Sequence, residues 1–174
     1  MGPPYEICQT FTNIMKKNKY TLTKTLVLDF LKENKLMSVA TFGEFPWIAI
    51  VYYTFDNDLN LYFLSSPSTL HCKQIKQNGK VSVAIVDSHQ GINSLKRGLQ
   101  IYGIAKEVSG ANKIQHVLKL WKDSLEVDKP ELSYQNMVKK AIKGRMFQIL
   151  PKRIKLFDQK LFQVEDGEEP VLEF

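Results

Sequence analysis

Cysteine is nearly missing from this chain, with only Cys8 and Cys72 among 174 residues. They form no CxxC pair and no Cys/His set with the spacing of a zinc site, so neither a disulfide framework nor a structural metal is expected. Reduced thiols in a cytoplasm are the simplest account. Long hydrophobic runs are also missing. None approaches the ~20 apolar residues that a membrane-spanning helix needs. The opening Met1-Gly2-Pro3-Pro4-Tyr5-Glu6 lacks the charged flank and apolar block of a secretory leader, and Pro3 speaks against reading Gly2 as an acylation site. No GxGxxG dinucleotide fingerprint, internal repeat, low-complexity stretch or interdomain linker appears. The expectation is one soluble, cytoplasmic domain that makes no use of a membrane.

The composition is that of a globular chain, with 44% apolar and 24% charged residues. Charge is unevenly spread. Glu165–Phe174 carries five acids and no base, which leaves 24 basic and 13 acidic residues before it, a charge of +11. A surface of that sign attracts phosphorylated ligands and nucleic acid in general, although solvated surface lysines produce the same count. The chain divides by composition into an N-terminal arm (1–20), a folded domain (21–160) and an acidic C-terminal tail (161–174).

Leu22, Leu26, Val27, Phe30 and Leu31 form a helical stripe that Thr21 or Thr23 can cap and Asn34 can stop. Three strands follow as a meander: Leu36–Phe42, Trp47–Phe55 and Leu59–Leu64, separated by Gly43-Glu44 and Asp56-Asn57-Asp58. Ser65-Ser66-Pro67-Ser68 breaks the sheet, and Thr69–Asn78 is predicted to be a helix capped by Ser68 and closed by Gly79. Val81–Val86 and Leu99–Val108 are strands around a long loop. Two more helical stripes follow, Ile114 to Leu125 and Tyr134 to Ile142, the second closed by Gly144. Met146–Leu150 and Arg153–Phe157 are predicted as two closing strands with Pro151 at a bend. This order gives an α+β fold: a six- to seven-stranded, mainly antiparallel split β-barrel with flanking helices.

Chemistry concentrates at Leu64-Ser65-Ser66-Pro67-Ser68-Thr69-Leu70-His71-Cys72-Lys73. The run leaves a strand, passes four hydroxyl residues and opens a helix. Helix N-termini present unpaired amides and partial positive charge, which suits a phosphate. His71 and Lys73 can add charge. Read alone, the segment also fits an ordinary capped helix, with His71 on the surface. His89 and His116 read as exposed, and no spacing argues for a Ser-His-Asp or Cys-His arrangement.

The successive blocks Pro46–Tyr53, Leu61–Ser65, Ser68–His71, Val81–Ile85 and Gly98–Ala105, with the closing Met146–Pro151 and Arg153–Lys155, resemble those of the pyridoxamine-5'-phosphate-oxidase-like split barrels. The likeness covers roughly Leu22–Phe157. It implies FMN bound at the two-fold interface of a homodimer and a flavin-dependent oxidoreductase acting with a small-molecule electron donor or substrate. Carried over residue by residue, it places Trp47, Ile48, Ala49 and Ile50 beside the flavin ring, with Tyr53 on the same strand. Leu64 and Ser65 form the strand end that touches flavin. Thr69 and His71 match the phosphate-binding run, beside the hydroxyls of Ser66 and Ser68 that the segment itself offers, and Gly98 and Gln100 lie on the strand that the partner contributes. The chain departs from the oxidases where their phosphate-binding Arg and Lys stand, here Leu70 and His71. On the second strand, Ile48 and a tyrosine, Tyr53, replace basic residues. The oxidases' substrate-gripping bases near the C-terminus have no clear match, which argues against pyridoxamine phosphate as substrate.

Two alternatives stay open. The same barrel can carry haem or a deazaflavin, or FAD in place of FMN; haem needs an axial side chain such as His71, His89 or His116. A non-enzymatic protein that binds nucleic acid through its basic face is the other, but no RNP-type or helix-turn-helix pattern appears and the acidic tail repels phosphates.

Overall fold

The computed structural model describes residues 21–164 and 167–174. The expected N-terminal arm lies outside the described residues. Eleven elements follow one another: α1 (Lys24–Glu33), β1 (Leu36–Phe42), β2 (Pro46–Phe55), β3 (Leu61–Ser65), α2 (Leu70–Gln77), β4 (Lys80–Ile85), β5 (Arg97–Glu107), α3 (Ala111–Ser124), α4 (Tyr134–Val138), β6 (Arg145–Asp158) and β7 (Val171–Glu173). Every strand pairing is antiparallel. The sheet order is β3-β2-β1-β4-β5-β6-β7, and a further β3–β6 ladder closes six strands into a barrel. The α+β split barrel is thus the observed architecture. No described helix is long and apolar enough to cross a membrane.

Alternation fills the barrel. Along β1 and β4 every second residue is buried, so Met37, Val39, Val81, Val83 and Ile85 point inward beside Phe63, Ile101, Phe147 and Ile154. Helix α1, capped by the Thr23 hydroxyl on the Leu26 amide at 3.3 Å, adds Val27, Phe30 and Leu31 to this core. Its far end is fixed by Arg97. That guanidinium sits 5.0 Å above the Phe30 ring, donates to Glu33 at 2.7 Å, and lies 3.2 Å from the buried carboxylate of Asp158. A second apolar cluster lies outside the barrel wall. Val117, Leu118 and Trp121 of α3 and Met137 of α4 cover Tyr62 of β3 and Met146 of β6.

Two expectations need correction, and the C-terminal segment adds a strand. The predicted pair of closing strands is one strand, β6. Pro151 sits inside it, opposite Gly103, at a register shift in the β5 ladder that removes the need for its missing N–H. The helix expected from Tyr134 to Ile142 ends at Val138, because Lys140 takes φ 56 and the amides of Ala141 and Ile142 turn back onto the Asn136 carbonyl. Within the acidic C-terminal segment, Val171–Glu173 forms β7, where Glu173 pairs with Arg153 at 3.1 Å and Glu169 reaches Lys155 at 3.5 Å.

Candidate functional site

Strand β3 pairs with β2 only from Tyr53↔Phe63 to Phe55↔Leu61, but with β6 along its whole length, ending at Ser65↔Arg145. The barrel is therefore split where β2 and β3 part. Helix α2 starts at that split. It is tied to the β1–β2 hairpin through Gln74, which accepts from Thr41 Oγ1 at 2.6 Å and donates to the Phe45 carbonyl at 3.0 Å. The approach at the hairpin is close enough that a Cβ on Gly43 would stand 2.9 Å from Gln74 Nε2.

Thr69, not Ser68, is the N-cap of α2, and its side chain caps none of the helix amides. Its hydroxyl donates instead to the Ser66 carbonyl at 2.8 Å. The first-turn amides of Leu70, His71 and Cys72 have no partner one helical turn earlier, as at any helix start, so they remain donors without a side-chain cap. Ser66 and Ser68 share a 2.8 Å hydroxyl hydrogen bond at the rim.

His71 is buried rather than on the surface, with its ring 6.4 Å from that of Phe63. Its Nε2 lies 2.8 Å from Ser65 Oγ and 3.3 Å from Thr69 Oγ1. Burial holds its pKa below the ordinary 6.5, so the imidazole is neutral at pH 7. Thr69 has spent its proton on the Ser66 carbonyl, so toward His71 its hydroxyl is an acceptor, while Ser65 Oγ pairs with Nε2 as donor or acceptor according to the imidazole tautomer. His71 is thus a strut that sets two hydroxyls, and it brings no charge of its own.

A basic residue stands across the ladder from the cup's first hydroxyl. Arg145 is the ladder partner of Ser65, and directly opposed residues share a face of the sheet. Its Nη1 is held by the carbonyls of Ile142 and Gly144 at 3.2 and 2.8 Å. Sequence reasoning missed this residue, because only the β3–β6 register brings it next to Ser65.

The other predicted positions fall in three places. Ala49 and Tyr53 turn inward. Tyr53 is 1% exposed and donates its hydroxyl to the Leu31 carbonyl at 3.1 Å, so its side chain belongs to the core and not to the cup. Ile48 and Ile50 point outward at 63% and 71% exposure, and Trp47 is half-exposed. Gln100 also lies on the outer face. With Ser38, Ala40, Ile48, Ser82 and Tyr102 it lines a depression of about 460 Å³. Gly98 is buried against Phe157, whose ring would lie 2.5 Å from an added Cβ. Leu64 faces a different cleft, of about 570 Å³, with Tyr52 and Trp121. One chain therefore unites Ser65, Ser66, Ser68, Thr69 and His71, but leaves Gln100 on a separate wall.

The sequence profile of the family described as Pyridoxamine 5'-phosphate oxidase matches residues 23–146. The chain belongs to that family. No curated protein matches the sequence. Among solved structures, the chain is similar to a conserved hypothetical protein of Mycobacterium tuberculosis, with 16% identity, TM-score 0.65, and coverage of 87% of this chain and 94% of the other. It is similar to General Stress Protein 26 of Bacillus anthracis at 14% identity and TM-score 0.60, covering 87% and 98%. A haem-binding protein of Mycobacterium smegmatis gives 13% identity and TM-score 0.60, covering 80% of this chain and 53% of that one. At these identities the likeness is one of fold. Membership of the pyridoxamine 5'-phosphate oxidase family agrees with the closed six-stranded barrel.

Proposed function

We propose that this protein is a cytoplasmic FMN-binding homodimer with flavin-dependent oxidoreductase activity on a small molecule. The observation that carries this reading is the cup at the start of α2: amides without a side-chain cap, hydroxyls set by a neutral His71, and Arg145 alongside. That donor set fits a dianionic phosphate. Ser65, Ser66 and Ser68 would hold the phosphate with the α2 amides, and Thr69, whose hydroxyl is spent on the Ser66 carbonyl, would shape the turn. Trp47, Ile48, Ile50 and the Ala49 backbone would border the ring, with Leu64 contributing its backbone only, since its side chain faces the other cleft. When bound, FMN supplies the electron-transfer chemistry, and the chain supplies position and exclusion of water. No side chain here is required as acid or base.

The dimer follows from incompleteness. Gln100 and the cup lie on different walls of one chain, so both can border one ligand only if two copies meet. The outer face of β2, β1, β4 and β5 suits such a meeting: Ser38, Ala40, Ser82 and Ala84 make a low centre flanked by exposed Ile48, Ile50 and Tyr102.

The test is a fluorescence titration of FMN with purified apo-protein. Saturable quenching, weakened roughly tenfold or more by Arg145→Gln or Ser65→Ala, supports the reading; unquenched flavin at saturating protein refutes it. The Mycobacterium smegmatis relative motivates a haem reading as second choice. His71 Nε2 is engaged by two hydroxyls, His89 is exposed with Nδ1 on Asp87, and His116 is exposed on α3, which speaks against each of the three as an axial ligand. An absorption spectrum separates the two, by a Soret band for haem or two near-visible bands for flavin.

A further inference from the structure

The cleft of about 570 Å³ beside Leu64 lies one residue from the cup along β3, on the opposite face of the strand. Its size is that of a small-molecule site. Tyr52, Leu64, Trp121, Val127 and Leu132 supply its apolar lining. Trp121 has already spent its one polar atom, since Nε1 donates to the Tyr52 carbonyl at 3.3 Å, so the indole offers the cleft only its ring. The α3 C-terminus is likewise quenched, because Lys35 Nζ donates to the Ser124 carbonyl at 2.8 Å. That bond uses one of the three ammonium donors and leaves two.

Charge at the rim is one-sided. Lys35 and Lys129 border the cleft against a single acid, Glu126. Among the described residues no carboxylate is ion-paired with either lysine. A wall of rings and aliphatic chains under two ammonium groups selects a flat apolar body with one negative group.

We propose that this cleft binds a planar, apolar carboxylic acid, held by Trp121, Leu64 and Val127 with its carboxylate at Lys35 and Lys129. Describing that molecule as the substrate of a flavin rests on the function proposed above; the binding itself does not, and it is tested without flavin.

The chain has two tryptophans, Trp47 and Trp121, so the Trp47→Phe protein carries one reporter, inside the cleft. The probes are 2-naphthoate and its neutral analogue 2-naphthalenemethanol. The expected result is a saturable change in Trp121 emission with 2-naphthoate, at least tenfold tighter than with the alcohol. Adding Lys35→Met and Lys129→Met, both at exposed positions, should erase that preference while keeping weak binding of the alcohol. Val127→Glu should abolish both. No saturable change, equal affinity for acid and alcohol, or a preference that survives loss of both lysines overturns the proposal. FMN titration of the unsubstituted protein, with Trp47 in place, separates the two readings: naphthoate binding to the Trp47→Phe reporter without FMN binding to the parent sinks the flavin proposal alone, and FMN binding to the parent without naphthoate binding to the reporter sinks this one alone.

Discussion

Ser65 and Arg145 face each other across the β3–β6 ladder, and the Arg145 guanidinium is held close to that pair by the Ile142 and Gly144 carbonyls. On the function proposed above, the basic residue missing at Leu70 would be supplied from 75 residues on in sequence, at Arg145. An Arg145→Lys protein should recover part of the FMN affinity that Arg145→Gln loses, since charge is kept and the planar fork is not. Titrations of both variants at low and physiological salt check this.

His71 makes a prediction about pH. Its buried imidazole has a pKa below the 6.5 of an exposed one, so between those values the unfolded chain takes up a proton that the folded chain refuses. The neutral ring's contribution is complete above about pH 6.5 and is lost as pH falls through its folded pKa. Urea midpoints should drop from pH 7.5 to pH 5, and His71→Gln should flatten that slope while lowering stability at pH 7.5. A parent protein with the same slope as the variant would show that His71 carries no such burden.

Two glycines on β5 should respond differently to alanine. A Cβ on Gly103 would stand 2.3 Å from the Leu150 carbonyl oxygen, in backbone that cannot yield at the bulge beside Pro151. The loss should be about 3 kcal/mol or more. On Gly98 the clash is 2.5 Å from Cε1 of the Phe157 ring, which can swing, and Phe157 is only partly buried. There the loss should be smaller, about 1–2 kcal/mol. Chemical denaturation of both proteins decides the ranking.

Exposed Ile48 and Ile50 flank the low centre of the proposed subunit contact. Ile50→Lys should convert a dimer to a monomer in sedimentation velocity and weaken FMN binding in parallel, because Gln100 of a second copy would be lost from the site. A monomeric parent would remove the dimer from the functional reading.

Much of this was legible in the sequence, and what was not has a common cause. The order of strands, the hydroxyl-rich start of α2 and the Thr23 cap are local signals, carried by residues within one turn of each other. Misplacements came where pairing decides. Trp47–Phe55 is nearly continuous in apolar residues, so its period of two is hidden, and only the register shows that Tyr53 turns inward while Ile48 and Ile50 do not. Arg145 gains its meaning from a partner in β3. Pro151 looked like a strand end, because the sequence does not reveal that Gly103 stands across from it to absorb the bulge.

Strand β6 is the seam of the barrel. It ladders with β3, β5 and β7, and its partners in β3 lie about eighty residues earlier. Loop closure over that span must be made before the contacts repay it, so the barrel shuts late in folding. As the chain is synthesised, Ser65 and α2 leave the ribosome long before Arg145 does. Until then the apolar inner faces of β1 to β4 stand open to water and to neighbouring chains. Yield in expression should accordingly depend on how quickly residues 145–158 arrive, and slow translation or a nick ahead of that stretch would favour aggregates over cofactor-ready protein.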